Sequence, residues 1–131
     1  MNPFKSIFAT LALLMFIALS GMAQAQTAVL VKPLTEDQKI EKLIASVEKA
    51  TNIQFYRNGS YHDATTAASH LRLKRKKAGN GVKTASDFIE KLASKSSMTG
   101  EEYKIKYSTG KEVKARDYFY AQLKLIETSS K

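Results

Sequence analysis

The stretch that decides the fold is Phe55-Tyr56-Arg57-Asn58-Gly59-Ser60-Tyr61-His62-Asp63, which continues directly into Ala64-Thr65-Thr66-Ala67-Ala68-Ser69-His70-Leu71-Arg72-Leu73-Lys74. Asn58-Gly59 predicts a tight turn because both residue types tolerate positive φ. Asp63 is then expected to cap the following helix by accepting backbone N–H bonds. Both histidines of the chain, His62 and His70, lie in this stretch. We therefore expect any polar site of the protein to include it.

Residues 1–25 have the three parts of a secretory signal peptide. Lys5 supplies the positive charge, residues 7–19 are uncharged and mostly apolar, and Ala23-Gln24-Ala25 fits small-x-small cleavage. The apolar run is shorter than the about 20 residues that a membrane-spanning helix needs. We expect cleavage between Ala25 and Gln26 and a periplasmic protein without a transmembrane segment in its mature chain. The rival interpretation is an uncleaved membrane anchor.

Cysteine is absent from the 131-residue chain. Disulfides, thiolate catalysis and cysteine-based metal sites are therefore excluded. What remains after cleavage is long enough for one hydrophobic core. The predicted organisation is a flexible leader at 26–34, a single compact domain at 35–127 and a frayed tail at 128–131.

The chain is strongly basic, with 21 lysine and arginine residues against 12 aspartate and glutamate residues and a formal net charge of +9. In the periplasm the anionic partners are phospholipid headgroups, lipopolysaccharide phosphates and acidic envelope proteins. A nucleic-acid partner is not expected there, and the sequence leaves the oligomeric state open. The alternative is that these charges, most of them lysines, serve only solubility.

Capping signals and apolar spacing predict the helices. Thr35 and Gln38 are predicted to form a capping box at the start of the first helix. Thr84 is the predicted N-cap of the third helix. A last helix is expected over about 116–127. The buried stripe of the first helix is predicted to be Ile40, Leu43, Ile44 and Val47, and that of the third Ala85, Phe88, Ile89 and Leu92.

Between the third and the last helix, residues 103–107 alternate tyrosine and lysine about a central isoleucine, and Glu112-Val113 follows a turn at Thr109-Gly110. This pattern predicts a small β-hairpin. The predicted fold class is therefore mainly α, with about four helices around one core and the hairpin before the last helix.

Polar residues cluster in two short segments that bracket a pair of predicted helices. The candidate binding residues are Arg57, Asn58, His70, Arg72, Lys74, Ser96 and Ser97. The candidate basic patch, at a helix C-terminus, is Arg72, Lys74, Arg75, Lys76 and Lys77. Arginine suits carboxylate or phosphate through paired hydrogen bonds. We therefore favour a non-enzymatic binding module for an acidic envelope partner.

Two alternatives stay open at this point. Ser96 or Ser97 with His70 as base would make a small hydrolase, although no glycine-flanked nucleophile is present and no catalytic residue is assigned. Arg57, Asn58 and His70 would otherwise form a polar network that only stabilises the fold. No cofactor or metal site is expected, because His62 and His70 are separated across a helix start and lack a third ligand.

The spaced motifs Arg57-Asn58-Gly59, His70-Leu71 with Lys74, and Ser96-Ser97 with Gly100 resemble those of a family of small exported proteobacterial proteins, a domain of unknown function. The resemblance covers roughly residues 40–123. It implies a signal peptide followed by one compact domain, and it implies no activity, substrate or cofactor. Tyr118-Phe119 occupies a position where this family commonly has tryptophan.

Overall fold

Four helices and four strands follow one another in residues 30–131, the part of the chain that this computed structural model describes. In chain order they are α1 (Glu36–Glu48), β1 (Ile53–Arg57), β2 (Ser60–His62), α2 (Ala64–Ala78), α3 (Ala85–Phe88), β3 (Lys104–Tyr107), β4 (Glu112–Lys114) and α4 (Ala115–Thr128). The predicted signal peptide at 1–25, its cleavage position and residues 26–29 of the predicted leader lie outside the described residues.

β1 is a central strand of the sheet and pairs with both β2 and β3. The strand order is β2-β1-β3-β4, and all neighbouring strands are antiparallel. Phe55 lies opposite His62 on one side and opposite Ile105 on the other. Ile53, Phe55 and Ile105 are buried whereas Gln54 is exposed, which is the alternation of a sheet with one covered face. α2 packs on β1 and α4 packs on β3, so the helices cover that face.

The prediction of a mainly helical fold with one small hairpin is wrong, because the sheet has four strands. The predicted β3–β4 hairpin is present, but it is joined through β3 to a second hairpin, β1–β2. Asn58 and Gly59 form the connection of this second hairpin, with φ of 48° and 84°. Asn-Gly between alternating residues is a strong signal for a two-residue hairpin loop. The fold is therefore mixed α/β, with helices packed on one face of an antiparallel sheet.

The predicted helix starts are confirmed. Thr35 and Thr84 both cap their helices in capping boxes, and the Asp63 side chain accepts from the Thr66 backbone N–H. The core includes the predicted stripes of α1 and of the third helix, all of whose members are buried. Phe88 and Phe119 meet edge to face at 6.4 Å between ring centroids and join α3 to α4.

α3 is short because the chain passes directly into a π-helical turn, Ile89–Ala93. Such a turn accommodates one residue more than an α-helical turn and shifts the direction of the chain that follows. The Ser94 hydroxyl donates to the Ile89 carbonyl and closes the turn. The loop that follows, residues 94–103, then passes close to α2 and the β1–β2 hairpin.

Candidate functional site

A surface groove with a volume of about 620 Å³ lies between α2, the β1–β2 hairpin and the loop at 94–103. We call it the groove. It is lined by Arg57, Asn58, His70, Lys74, Lys77, Ala78, Leu92, Ser96, Ser97, Met98 and Tyr103. All of the candidate binding residues except Arg72 are therefore brought together in one place, although they come from three separate segments of the chain.

Arg57 and His70 connect β1 to α2 inside the groove. The Arg57 guanidinium donates to His70 Nδ1, so the neutral imidazole carries its proton on Nε2. His70 Nε2 is buried and has no hydrogen-bond partner among the described residues. Burial, followed by the positive charges of Arg57 and Lys74, lowers the pKa of His70 from 6.5 to about 4. The imidazole is therefore neutral at pH 7.

Lys74 ties α2 to the loop at 94–103. Its ammonium donates to the Leu92 carbonyl at 2.7 Å, the Lys95 carbonyl at 3.2 Å and the Tyr103 hydroxyl at 3.2 Å. These three bonds use all three of its protons. Burial, and then the charge of Arg57, lowers the pKa of Lys74 from 10.5 to about 8. Lys74 thus gives the groove positive charge at neutral pH but has no donor left for a ligand.

Ser96 fixes the turn at one lip of the groove. Its hydroxyl accepts from the backbone N–H of Met98 and of Thr99, both at 3.3 Å, and the residue is buried. The Thr99 hydroxyl donates to Asn58 Oδ1 at 3.2 Å and links this turn to the β1–β2 hairpin. Ser97 is exposed. The two serines therefore differ in role: Ser96 holds the turn, and Ser97 presents its hydroxyl to solvent.

The contacts give no support to the hydrolase alternative. Among the described residues, no hydrogen bond joins His70 to Ser96 or Ser97. A general base works best with a pKa near the working pH, and the pKa of His70 lies at about 4. The imidazole is held by Arg57 through Nδ1, and its Nε2 contacts no serine hydroxyl through a hydrogen bond in the described residues.

α2 divides the candidate basic patch between two directions. Arg72 pairs with Glu48 at 2.8 Å, and Arg75 pairs with Asp37 at 2.9 Å and also with Glu41. These two arginines therefore contact α1. Lys74 and Lys77 instead line the groove with His70, because positions four and three residues apart share a helix face. Lys76 is exposed and has no ion-pair partner in residues 30–131.

The charged side chains of the groove are all positive. Arg57, Lys74 and Lys77 line it, and none of its lining residues is acidic. Within the described part of the chain, neither Arg57 nor Lys77 has an ion-pair partner. Other arginines of the protein, Arg72 and Arg116 among them, do have carboxylate partners. Arg57 is thus an arginine that lies in the groove and has no carboxylate partner in residues 30–131.

Sequence reasoning missed the apolar part of the lining. Leu92 and Tyr103 contact the groove although their pattern indicated only core residues, and Met98 was not singled out. Their burial differs widely: Leu92 is 7% exposed and Met98 is 95% exposed. The exposed methionine in a predicted loop between a helix and a strand was the available signal, since a large apolar side chain there has no core to enter.

Comparison with known proteins assigns the chain to a family. The model of DUF5329, a family of unknown function, matches residues 34–127. The chain belongs to this family. The prediction that the chain belongs to an uncharacterised family is confirmed, while the motif positions and the export of the family stay predictions.

A curated relative of this DUF5329 member is the uncharacterized protein YfeK of Salmonella typhimurium strain LT2. It is 40% identical over 68 residues, which are 52% of this chain and 57% of YfeK. The match thus covers less than two thirds of that relative, whose bacterial source agrees with a bacterial origin for this chain. No solved structure matches the chain. Among residues 30–131, no helix combines the length and apolar character needed to cross a membrane.

Proposed function

We propose that this DUF5329 member is a non-enzymatic periplasmic binding module that holds an anionic group of a cell-envelope component in the groove. One observation carries the proposal. A concave surface of about 620 Å³ is lined by Arg57, Lys74 and Lys77 and by no carboxylate. Sites for small ligands occupy about 300–1,000 Å³, so the groove has the size of such a site.

Arg57 is the principal anion-binding residue of the proposal. Its guanidinium has five N–H donors, and among the described residues its only hydrogen-bond partner is His70. The planar fork fits a carboxylate or phosphate through two parallel bonds. Lys77 adds a further cation at the groove. The Asn58 side chain uses its oxygen for Thr99 and so keeps its amide N–H groups for a ligand.

The periplasm is part of the proposal and rests on the signal-peptide pattern of residues 1–25. In that compartment the anionic groups belong to phospholipid headgroups, lipopolysaccharide phosphates and acidic envelope proteins. Co-sedimentation with anionic and neutral vesicles at about 0.15 M salt, where the screening length is near 8 Å, identifies a lipid-borne anion. Binding to the anionic vesicles alone supports that source, and no binding directs the search to soluble partners.

The experiment is an NMR titration of the purified protein with acetate and with inorganic phosphate at constant ionic strength. Saturable shifts are expected at the backbone amides of Ser97 and Met98, and they should weaken in Arg57→Gln. The matched control is Arg116→Gln, which removes the same charge from a residue outside the groove that is paired with Glu90. Equal titrations of the two variants would contradict the proposal.

A structural role is the second candidate, and two contacts favour it. Arg57 bonds His70, and Asn58 accepts from Thr99, so the β1–β2 hairpin is tied both to α2 and to the loop at 94–103. Under this alternative, His70→Ala lowers the melting temperature and neither anion gives saturable shifts in the wild-type protein. A fully stable His70→Ala protein argues against it.

A further inference from the structure

Apolar side chains lie beside the cations of the groove. Ala78, Leu92, Met98 and the ring of Tyr103 contribute to its lining. A second surface groove, between α4 and the loop at 94–103, makes a useful contrast, because its lining residues are all charged or hydroxyl-bearing and include Glu90 and Glu102. The first groove thus combines positive charge with apolar surface and lacks negative charge. That combination matches a ligand with an anionic head and an apolar body.

Met98 is the most exposed part of this apolar lining. The residue is 95% exposed, so its side chain adds little to the stability of the fold. Its backbone is nevertheless fixed, because its N–H donates to the Ser96 hydroxyl at 3.3 Å. Methionine is unbranched and polarizable, and it adapts to irregular apolar partners. An anchored backbone that carries a free methionine at the lip of a groove is suited to cover a flexible apolar chain.

The size of the groove favours a small ligand over a protein surface. Specific protein interfaces involve about 20–30 residues on each side, and the groove is a single concavity of about 620 Å³. A single acyl chain fits such a volume, whereas a two-chain lipid brings much more apolar surface than the groove can cover. The head group is set by Arg57, whose free donors suit the two oxygens of a carboxylate.

We infer that the groove binds a single-chain carboxylate amphiphile of the fatty-acid class, with its carboxylate at Arg57 and Lys77 and its chain along Leu92, Met98 and Tyr103. This inference rests on the proposed function and names its ligand class. Lys74 holds the apolar wall in place, since its ammonium bonds the Leu92 carbonyl and the Tyr103 hydroxyl. The carboxylate therefore binds beside a wall that is already ordered.

The test is a chain-length series of acetate, hexanoate, octanoate and decanoate, each below its micelle concentration, titrated calorimetrically into the purified protein. The dissociation constant is expected to fall about two- to fourfold for each added methylene group. Decanol, which lacks the charge, should bind at least about tenfold more weakly than decanoate, because hydrogen bonds to charged groups are lost.

Three variants separate the two parts of the ligand. Arg57→Gln should weaken every member of the series by about tenfold or more. Lys77→Gln should also weaken binding of every carboxylate in the series. Because Lys77 is exposed, this variant is expected to fold. Met98→Ser should weaken decanoate binding more than acetate binding and so reduce the gain in affinity per methylene. Melting temperatures of the three variants confirm that each protein is folded.

The outcomes distinguish this inference from the proposed function. Acetate and decanoate binding equally well, with both dependent on Arg57, would overturn the amphiphile and leave the anion site in place. Binding of no carboxylate and no phosphate would overturn both. Decanoate binding that is indifferent to Arg57→Gln and Met98→Ser would be non-specific and would overturn the inference. A short peptide with an apolar C-terminal residue binding more tightly than decanoate would also overturn it, in favour of peptide C-termini.

Discussion

Arg57 on β1 donates a hydrogen bond to Nδ1 of His70 on α2. This contact sets the imidazole tautomer, because Nδ1 is the acceptor and the proton must lie on Nε2. It also places a permanent positive charge next to a group that would gain a positive charge on protonation. The histidine is therefore held neutral by its surroundings, and its Nδ1 accepts from Arg57 only while it remains so.

Stability is expected to fall on acidification through His70. The pKa of His70 is lowered from 6.5 to about 4 by burial and then by Arg57. Between these two pH values the unfolded chain takes up a proton that the folded protein does not, so the free energy of unfolding decreases as pH falls through this window. His70→Asn keeps an acceptor for Arg57 but cannot titrate.

Urea unfolding at a series of pH values checks this prediction. The wild-type protein should lose more stability between pH 6.5 and about 4 than His70→Asn does, because both proteins share the same carboxylates and differ only in the imidazole. Parallel pH profiles for the two proteins would show that His70 does not titrate in this way.

Replacing Lys74 by methionine should destabilise the protein by about 1–3 kcal/mol, since it leaves the Leu92 carbonyl without its donor. The apolar stem is retained, so the loss comes from the hydrogen bonds. Lys76→Met is the matched control on the same helix and should change stability by less than about 0.5 kcal/mol, because Lys76 is exposed. Chemical denaturation of the three proteins measures both effects. Equal stabilities of the two variants would show that the hydrogen bonds of Lys74 do not stabilise the protein.

The two serines of the groove should respond differently to truncation. Ser96→Ala removes the acceptor of the Met98 and Thr99 backbone N–H groups, and a cost of about 1–2 kcal/mol is expected. Ser97→Ala should be close to neutral in stability, because Ser97 is exposed. Thermal unfolding compares the variants. A larger loss in Ser97→Ala than in Ser96→Ala would reverse the roles given to them.

Substitution of Gly59 should destabilise the protein, and the only cause is the backbone conformation at this position. Its φ is +84°, and an added Cβ would meet no atom within 4 Å. Gly59→Ala is therefore expected to cost about 1–2 kcal/mol through backbone strain in the hairpin turn. Gly81 has equally open surroundings without a positive φ, so Gly81→Ala is the control and should be neutral or slightly stabilising. Urea unfolding again gives both values.

Local features of the fold were predictable, but the sheet was not. Thr35, Asp63 and Thr84 each predicted a helix start, because a cap bonds only to groups within three residues. All three caps are present. The pairing of Phe55 with Ile105 joins residues far apart in the chain, and local periodicity contains no information about such partners. The β1–β2 hairpin went unrecognised although Asn58-Gly59 is a local signal for it, whereas the joining of the two hairpins depends on the long-range pairing.

The site was predictable in its residue types and less so in its geometry. Arg57, His70 and Ser96 were selected for their chemistry and do share the groove. Arg72 looked equivalent to Lys74 in sequence, yet it contacts Glu48 on α1. The two residues are separated by about 200° around the helix axis, and which direction meets the groove depends on how α1 and the loop at 94–103 pack. The partners of Lys74 are backbone carbonyls, for which sequence offers no signature.

The length of the π-helical turn at Ile89–Ala93 can be compared among relatives in a sequence alignment. A homologue with one residue fewer in this segment would form an ordinary α-helical turn, and everything after it would rotate by about 100° about the helix axis. The Leu92 carbonyl would then point away from Lys74, and the serine turn would no longer meet the hairpin. A single-residue gap at this point would therefore mark DUF5329 members that share the scaffold but lack the groove.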